Sequence, residues 1–135
     1  MSARTKQNLN TAMQGEAFNH AKCLRFAAHA RMNENWNLAQ LFQTTADTDR
    51  REHFAEEADL AGWEASNTEN LRSAIEGKRA DAAMYGQFAR EATADGDFVA
   101  AALFEKMQTA VDTQRKAFEA AFCIQTRART DLIAV

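Results

Sequence analysis

Apolar residues recur every three or four positions along most of the chain, and this spacing predicts amphipathic α-helices. Four such segments stand out, at roughly 6–32, 36–61, 66–95 and 98–126. We call the apolar side of each helix its inward stripe. In the first helix the inward stripe comprises Leu9, Met13, Glu16, His20, Cys23, Ala27 and Ala30. In the second helix it comprises Ala39, Phe42, Ala46, Asp49, His53, Glu56 and Leu60. In the third helix it comprises Leu71, Ile75, Lys78, Ala82, Tyr85, Ala89 and Ala92. In the fourth helix it comprises Ala101, Phe104, Gln108, Val111, Arg115, Phe118 and Phe122.

Short polar breaks separate the helices. "RMNENWN" (31–37) lies between the first two, and "DGD" (95–97) lies between the last two. Gly62 stands where a helix commonly ends in the left-handed conformation. Ser66 and Glu69 have the spacing of a capping box, which predicts the start of the third helix. The last ten residues, "TRARTDLIAV", carry no strong pattern.

The two halves of the chain resemble each other. When residues 8–42 are aligned with residues 70–104, 11 of 35 positions are identical. Gly15 then matches Gly77 and Phe26 matches Phe88, so a helical hairpin is repeated after 62 residues. Two hairpins predict an all-α four-helix bundle.

Composition agrees with one helical domain of 135 residues. There is no proline, and apolar residues make up 46% and charged residues 26%. The net charge of −3 gives no indication of a nucleic-acid partner. No apolar run suits a signal peptide or a membrane span, so we expect a cytoplasmic protein. Two isolated cysteines, Cys23 and Cys123, argue against a zinc ribbon or a disulfide framework.

Ionisable residues occupy the middle of the inward stripes, where charges are rare unless they are paired or bind a metal. They are Glu16, His20, Asp49, His53 and Lys78. This placement raises the possibility of a metal site inside the bundle.

Four segments resemble the ferritin-like domain of rubrerythrins, over about residues 5–122. They are "NTAMQGEAFNHAKCLRFAAHA", "LFQTTADTDRREHF", "NTENLRSAIEG" and "MYGQFAREATADGDFVAAALFEK". The resemblance implies a four-helix bundle with a di-iron site and a link to peroxide reduction and oxidative-stress defence. No segment resembles the rubredoxin domain that many members carry.

The resemblance assigns metal ligands to the first hairpin. Glu16 in "QGEAF" matches the first-helix glutamate of the family. Without a gap, Asp49 and Glu52 take the places of the family's Glu-x-x-His. With one inserted residue His53 becomes the ligand instead, and a π-bulge, which is frequent at functional sites, would accommodate that residue.

The second hairpin departs from the family pattern. Lys78 stands where a glutamate is implied, and a further third-helix glutamate corresponds to Ala80 or Asp81. Val111 and Gln114 occupy the Glu-x-x-His positions. A complete di-iron site needs about six or seven ligands, which these positions do not supply.

Three interpretations follow. The first is an altered metal site for iron, manganese or zinc, with ligands among Glu16, Asp49, Glu52, His53 and Asp81. In the second no metal binds, and the Lys78 ammonium neutralises carboxylates in the space that the metals would occupy. In the third the groups are surface salt bridges. His20, His29 and Cys23 are interpreted as packed residues without a role as ligands.

The link between the hairpins is short. The link comprises about five residues, 62–66, which span at most roughly 17 Å. Helices two and three of a ferritin-like bundle are parallel, which needs a crossover as long as the bundle. We therefore expect either an up-down-up-down bundle or, preferably, a homodimer with exchanged hairpins. In that dimer Glu16, Asp49 and His53 would face Lys78 and Asp81 of the partner chain.

Overall fold

The computed structural model describes the backbone of residues 1–133 and the side chains of residues 1–128. The described chain is helical and contains no strand, which confirms the predicted all-α class. Its elements are α1 (Ala3–Met32), α2 (Trp36–Thr48), a π-helical turn (Asp49–Phe54), α3 (Ala55–Ala61), α4 (Asn67–Asp95) and α5 (Phe98–Ile133).

The predicted helix boundaries at Gly62, at Ser66 and at the turn over residues 95–97 are confirmed. Gly62 adopts the left-handed conformation with φ of 66° after α3, and Gly96 does so with φ of 82° after α4. Glycine enters this region without the steric strain that a Cβ atom brings. Ser66 and Glu69 form the predicted capping box at the start of α4, each side chain bonding the backbone N–H of the other.

The first compact unit spans Met1–Glu64. In it, α1 packs along α2, the π turn and α3. The interface is built from small side chains, which allow the two helical backbones to approach closely. Its buried members are four alanines and one larger residue: Ala27, Ala30, Ala39, Ala46 and Met13.

The second compact unit begins at Ala65 and is formed by α4 against α5. Ile75, Ala89 and Val111 lie in its core, and Tyr85 packs on Phe104 with ring centroids 6.2 Å apart. Every position predicted for the inward stripes of α4 and α5 is buried or half-buried. In contrast, α5 continues to Ile133, beyond the predicted end near residue 126, so part of the patternless tail is helical.

The π turn shifts the inward stripe of the first hairpin. Up to Asp49 every predicted position is buried or half-buried, but His53, Glu56 and Leu60 are exposed. The prediction that these three residues lie on the inward stripe assumes uninterrupted α-helical spacing, and it is wrong. A π turn adds one residue to the helix, so the buried side moves on by one position and includes Glu57 in place of Glu56.

Among the described residues, none of the helices combines the length and the apolar character that crossing a lipid bilayer requires.

The capping box gives a test of the boundary between the hairpins. Ser66→Ala removes the side chain that accepts the Glu69 N–H, so we expect unfolding free energy to fall by about 0.5–2 kcal/mol. Chemical denaturation followed by circular dichroism measures the loss. The matched control is Ser73→Ala, the same change at an exposed position inside α4. Equal effects of the two changes would contradict a capping role.

Candidate metal centre

Three donor groups of the first hairpin converge on one point. Glu16 lies at the middle of α1, and Asp49 and His53 lie on the π turn that packs against it. One ligand atom from each lies within 4.8 Å of the others. His53 Nδ1 is 3.5 Å from Glu16 Oε2 and 3.6 Å from Asp49 Oδ1. We call these three residues the metal triad.

The two distances from His53 suit ligands around an ion better than direct hydrogen bonds. A charged N–H···O⁻ hydrogen bond spans roughly 2.7–2.9 Å, clearly less than the separations of His53 from the two carboxylates. A tetrahedral ion with bonds of roughly 2.0–2.2 Å holds its ligand atoms about 3.3–3.6 Å apart. Small side-chain movements would therefore bring all three donors onto one first-row transition metal.

Asp49 is the more buried of the two carboxylates in this group. It is only 8% exposed, and its Oδ1 lies 3.6 Å from the imidazole of His53. Among the described residues, no lysine or arginine forms an ion pair with Glu16 or Asp49. Buried carboxylates are costly unless a cation or hydrogen bonds compensate them. A cation beside these carboxylates would compensate their burial, and Arg50 lines a pocket together with Glu16.

His20 follows Glu16 by one helical turn and is already satisfied. Its Nδ1–H donates to the carbonyl oxygen of Ala46, 2.7 Å away. This bond joins α1 to α2 one turn before Asp49, and it helps to fix the position of the two helices relative to each other beside the site. The interpretation of His20 as a packed residue agrees with this contact.

Two further predicted ligands lie elsewhere. Glu52 is exposed and is not among the three converging donors. Asp81 lies in the second hairpin, where its Oδ2 is 3.7 Å from the Lys78 ammonium, three residues earlier on α4. The structure thus groups Glu16, Asp49 and His53, as the alignment with one inserted residue predicts, and the π turn that this alignment requires is present.

The second hairpin carries its own cations beside its carboxylates. Arg115 donates to Asp112 Oδ1 at 2.7 Å and to both carboxylate oxygens of Glu119 at 2.8 Å. The hydrogen bond from Arg115, with a second from Lys116, lowers the pKa of Asp112. Hydrogen bonds from Arg79 and then Arg115 lower the pKa of Glu119. The carboxylates of this network are thus neutralised from within the hairpin.

This network was missed in the sequence, although a signal for it is visible. Asp112, Arg115 and Glu119 are spaced by three and four residues, which places them on one face of a helix. The bridge from Arg79 on α4 to Glu119 on α5 is different, since it joins residues 40 positions apart. Local spacing gives no information about such a pair.

Neither the protein-family models nor the curated protein sequences compared with this chain give a match.

The Arg115 network predicts a pH-dependent contribution to stability. Arg115→Gln should lower the free energy of unfolding at about pH 7, and the difference from wild type should shrink towards about pH 3. Since the folded pKa values of Asp112 and Glu119 are lowered, their contribution is complete above the ordinary values of 3.8 and 4.5. It is lost as the pH falls through the lowered values. Urea unfolding at both pH values measures the two differences.

The control for this experiment is Lys106→Gln, which removes one positive charge from an exposed position of the same helix. A difference between wild type and Arg115→Gln that stays constant from neutral to acid pH would show that the network contributes nothing through ionised carboxylates.

Proposed function

We propose that this protein is a ferritin-like helical protein that binds one first-row transition metal ion per chain in its first hairpin. The observation that carries the proposal is the convergence within 4.8 Å of Glu16 on α1 with Asp49 and His53 on the π-helical turn. Two carboxylates and one imidazole are a donor set that suits iron, manganese or zinc.

A comparison of the two hairpins supports binding in the first one alone. Allowing one residue for the π turn, the repeat places Lys78, Val111 and Gln114 at the positions of Glu16, Asp49 and His53. None of these three side chains is a carboxylate or an imidazole. The residues therefore fit a single-metal site and do not fit the complete di-metal site that the family resemblance implies.

The resemblance to rubrerythrins supports a role in peroxide or oxidative-stress chemistry. A bound iron or manganese would supply redox chemistry, and a bound zinc would supply Lewis acidity. The chain's own contribution would be to hold the ion with Glu16, Asp49 and His53 on neighbouring helices. The exposed His53 leaves one side of the site open to small molecules.

The competing proposal is a non-catalytic helical bundle in which lysine and arginine replace the lost metals. The second hairpin favours it, because Lys78 and Arg115 bring fixed cations to its inward stripe. In this alternative Lys78 serves as the cation for the carboxylates of the bundle. Within the described second hairpin Lys78 pairs with Asp81. The two proposals make opposite predictions: the first expects a bound metal ion, and the second expects no metal and a stabilising role for Lys78.

We also propose that two chains associate as a homodimer by exchanging hairpins. The link from Gly62 to Ser66 contains five residues, which span at most about 17 Å. The helical stretch before it, 36–61, is about 39 Å long. Each hairpin also exposes large apolar side chains, such as Leu41 and Leu60 on the first and Phe98 and Leu103 on the second. Burial of such surface is the main driving force for association.

Metal analysis tests the binding proposal. Protein purified without chelators should contain close to one equivalent of iron, manganese or zinc per chain. Asp49→Asn should weaken the affinity by about tenfold or more, because it removes a charged donor of the metal triad. Glu52→Gln, which removes the same charge from an exposed residue three positions later, should leave affinity within about twofold.

Two results would contradict the binding proposal. One is metal-free protein that also takes up no added Mn²⁺, Zn²⁺ or anaerobic Fe²⁺. The other is an equal loss of affinity in both variants, which would indicate a general charge effect without coordination. Metal-free protein together with a large loss of stability in Lys78→Gln would favour the competing proposal.

The assembly proposal predicts a solution mass of about 30 kDa, twice the 15.1 kDa of one chain. Light scattering coupled to size-exclusion chromatography at micromolar concentration measures it. A link lengthened with about fifteen Gly and Ser residues would let one chain close its own bundle, so we expect this variant to shift towards monomer. A monomeric wild-type protein would exclude the exchange.

A further inference from the structure

We propose that Glu57 is a fourth protein ligand for the metal bound by Glu16, Asp49 and His53. This inference rests on the proposed metal-binding function. It concerns a residue that neither the inward-stripe pattern nor the family resemblance singles out.

The environment of the Glu57 carboxylate points to a missing partner. Its Oε2 atom is buried and is the one buried side-chain oxygen or nitrogen of the described residues that lacks a hydrogen-bond partner. Native proteins rarely leave such a group unsatisfied, and a bound ion or water is the usual reason when they do. A carboxylate oxygen accepts but does not donate when ionised, so its natural partner here is a cation.

The π turn is the reason that Glu57, rather than Glu56, lies on this side of the helix. With α-helical spacing from Asp49, position 56 would fall on the inward stripe. The extra residue of the π turn moves Glu57 there and leaves Glu56 exposed. The same turn carries Asp49, which is buried against α1, and the exposed His53, so one local distortion determines the placement of all three donors.

The second hairpin shows what this position holds when no metal is implied. Allowing one residue for the π turn, Glu57 corresponds to Phe118, a half-buried aromatic residue on the inward stripe of α5. An apolar side chain is the ordinary occupant of such a place. A carboxylate at the matching position of the first hairpin lies beside the metal triad and has no structural partner of its own.

Glu57 lies within reach of the triad. It follows His53 by four residues, which is about one helical turn. An open groove of about 480 Å³ in the first hairpin is lined by Glu16, His53, Glu57, Leu60 and also Glu56, whose side chain is exposed. The ion pairs recorded for Glu16 and His53 are with each other and with Asp49, so the groove-facing side of the triad is open to a further ligand. Glu57 is not among the donors that already lie within 4.8 Å of one another, so ligation requires its side chain to turn towards the ion.

Four ligands complete the coordination that the triad begins. Three protein ligands leave one position of a tetrahedral ion open, and a fourth ligand, the carboxylate of Glu57, fills it or raises the coordination number of iron or manganese. Glu57 also adds a third negative charge, which favours a divalent cation over a neutral partner such as water.

The test compares Glu57→Ala with Glu56→Ala, two changes that remove the same side chain from adjacent positions. We expect Glu57→Ala to weaken binding of Zn²⁺ and Co²⁺ by about tenfold or more, measured by competition with a coloured chelator. Glu56→Ala should stay within about twofold of wild type. Circular dichroism of each variant without metal checks that the helices are intact.

The absorption spectrum of bound Co²⁺ separates ligation from a distant charge effect. Loss of a ligand changes the coordination geometry, so Glu57→Ala should alter the position and intensity of the visible bands. Glu56→Ala should leave the wild-type spectrum unchanged.

The outcomes are distinguishable. A wild-type chain that binds no metal refutes the proposed function and this inference with it. A wild-type chain that binds metal while Glu57→Ala behaves like Glu56→Ala refutes only the role of Glu57. Weaker binding with an unchanged Co²⁺ spectrum likewise refutes ligation, because Glu57 would then act through its charge alone.

Discussion

The candidate site depends on one backbone feature, the π-helical turn over Asp49–Phe54. The interior of an α-helix repeats the same backbone hydrogen bond at each residue. One extra residue in a π turn rotates the side chains after the turn relative to those before it. Here the residues before the turn, such as Ala46, pack against α1 with the spacing of an ordinary helix. After the turn the buried side begins one position later, which brings Glu57 inward and leaves Glu56 in solvent. Such turns are frequent at functional sites, where an ideal helix would present the wrong side chains.

Charge separates the two hairpins more sharply than shape does. Both bury a narrow interface of small residues, and both place ionisable groups at the middle of their inward stripes. In the second hairpin Arg115 and Lys78 lie beside carboxylates, and the lowered pKa values of Asp112 and Glu119 follow from hydrogen bonds to arginine and lysine. In the first hairpin the ion-pair partner of Glu16 and Asp49 is His53. The proposed binding of one metal ion per chain is based on this difference between the two copies of the repeat.

The small residues at the helix interfaces have a second consequence. Alanine-rich contacts let α1 lie close to α2, but they bury little apolar area, so the large side chains of each hairpin remain available for other contacts. Phe18, Trp36 and Leu41 on the first hairpin are more than half exposed. A five-residue link restricts how one chain can cover such surfaces. Association of two chains satisfies both constraints in the proposed dimer, and it would also determine which groups complete the surroundings of the metal triad.

The sequence by itself determined the all-helical class, the repeated hairpin and the helix ends at Gly62, Ser66 and Gly96. These features follow from local chemistry: periodic apolar positions, a capping box and glycines in the left-handed conformation. The sequence also placed Glu16, Asp49 and His53 on the inward stripes as candidate ligands, with Glu52 as the alternative from the ungapped alignment. Only the tertiary structure shows that Glu16, Asp49 and His53 converge while Glu52 is outside that group, because the grouping depends on a π turn that apolar periodicity does not encode. For the same reason Glu57 was not predicted: its burial follows from a rotation of the backbone and from the packing of that rotated face against α1. The bridge from Arg79 to Glu119 likewise required the fold, since it joins two helices whose approach no local pattern specifies.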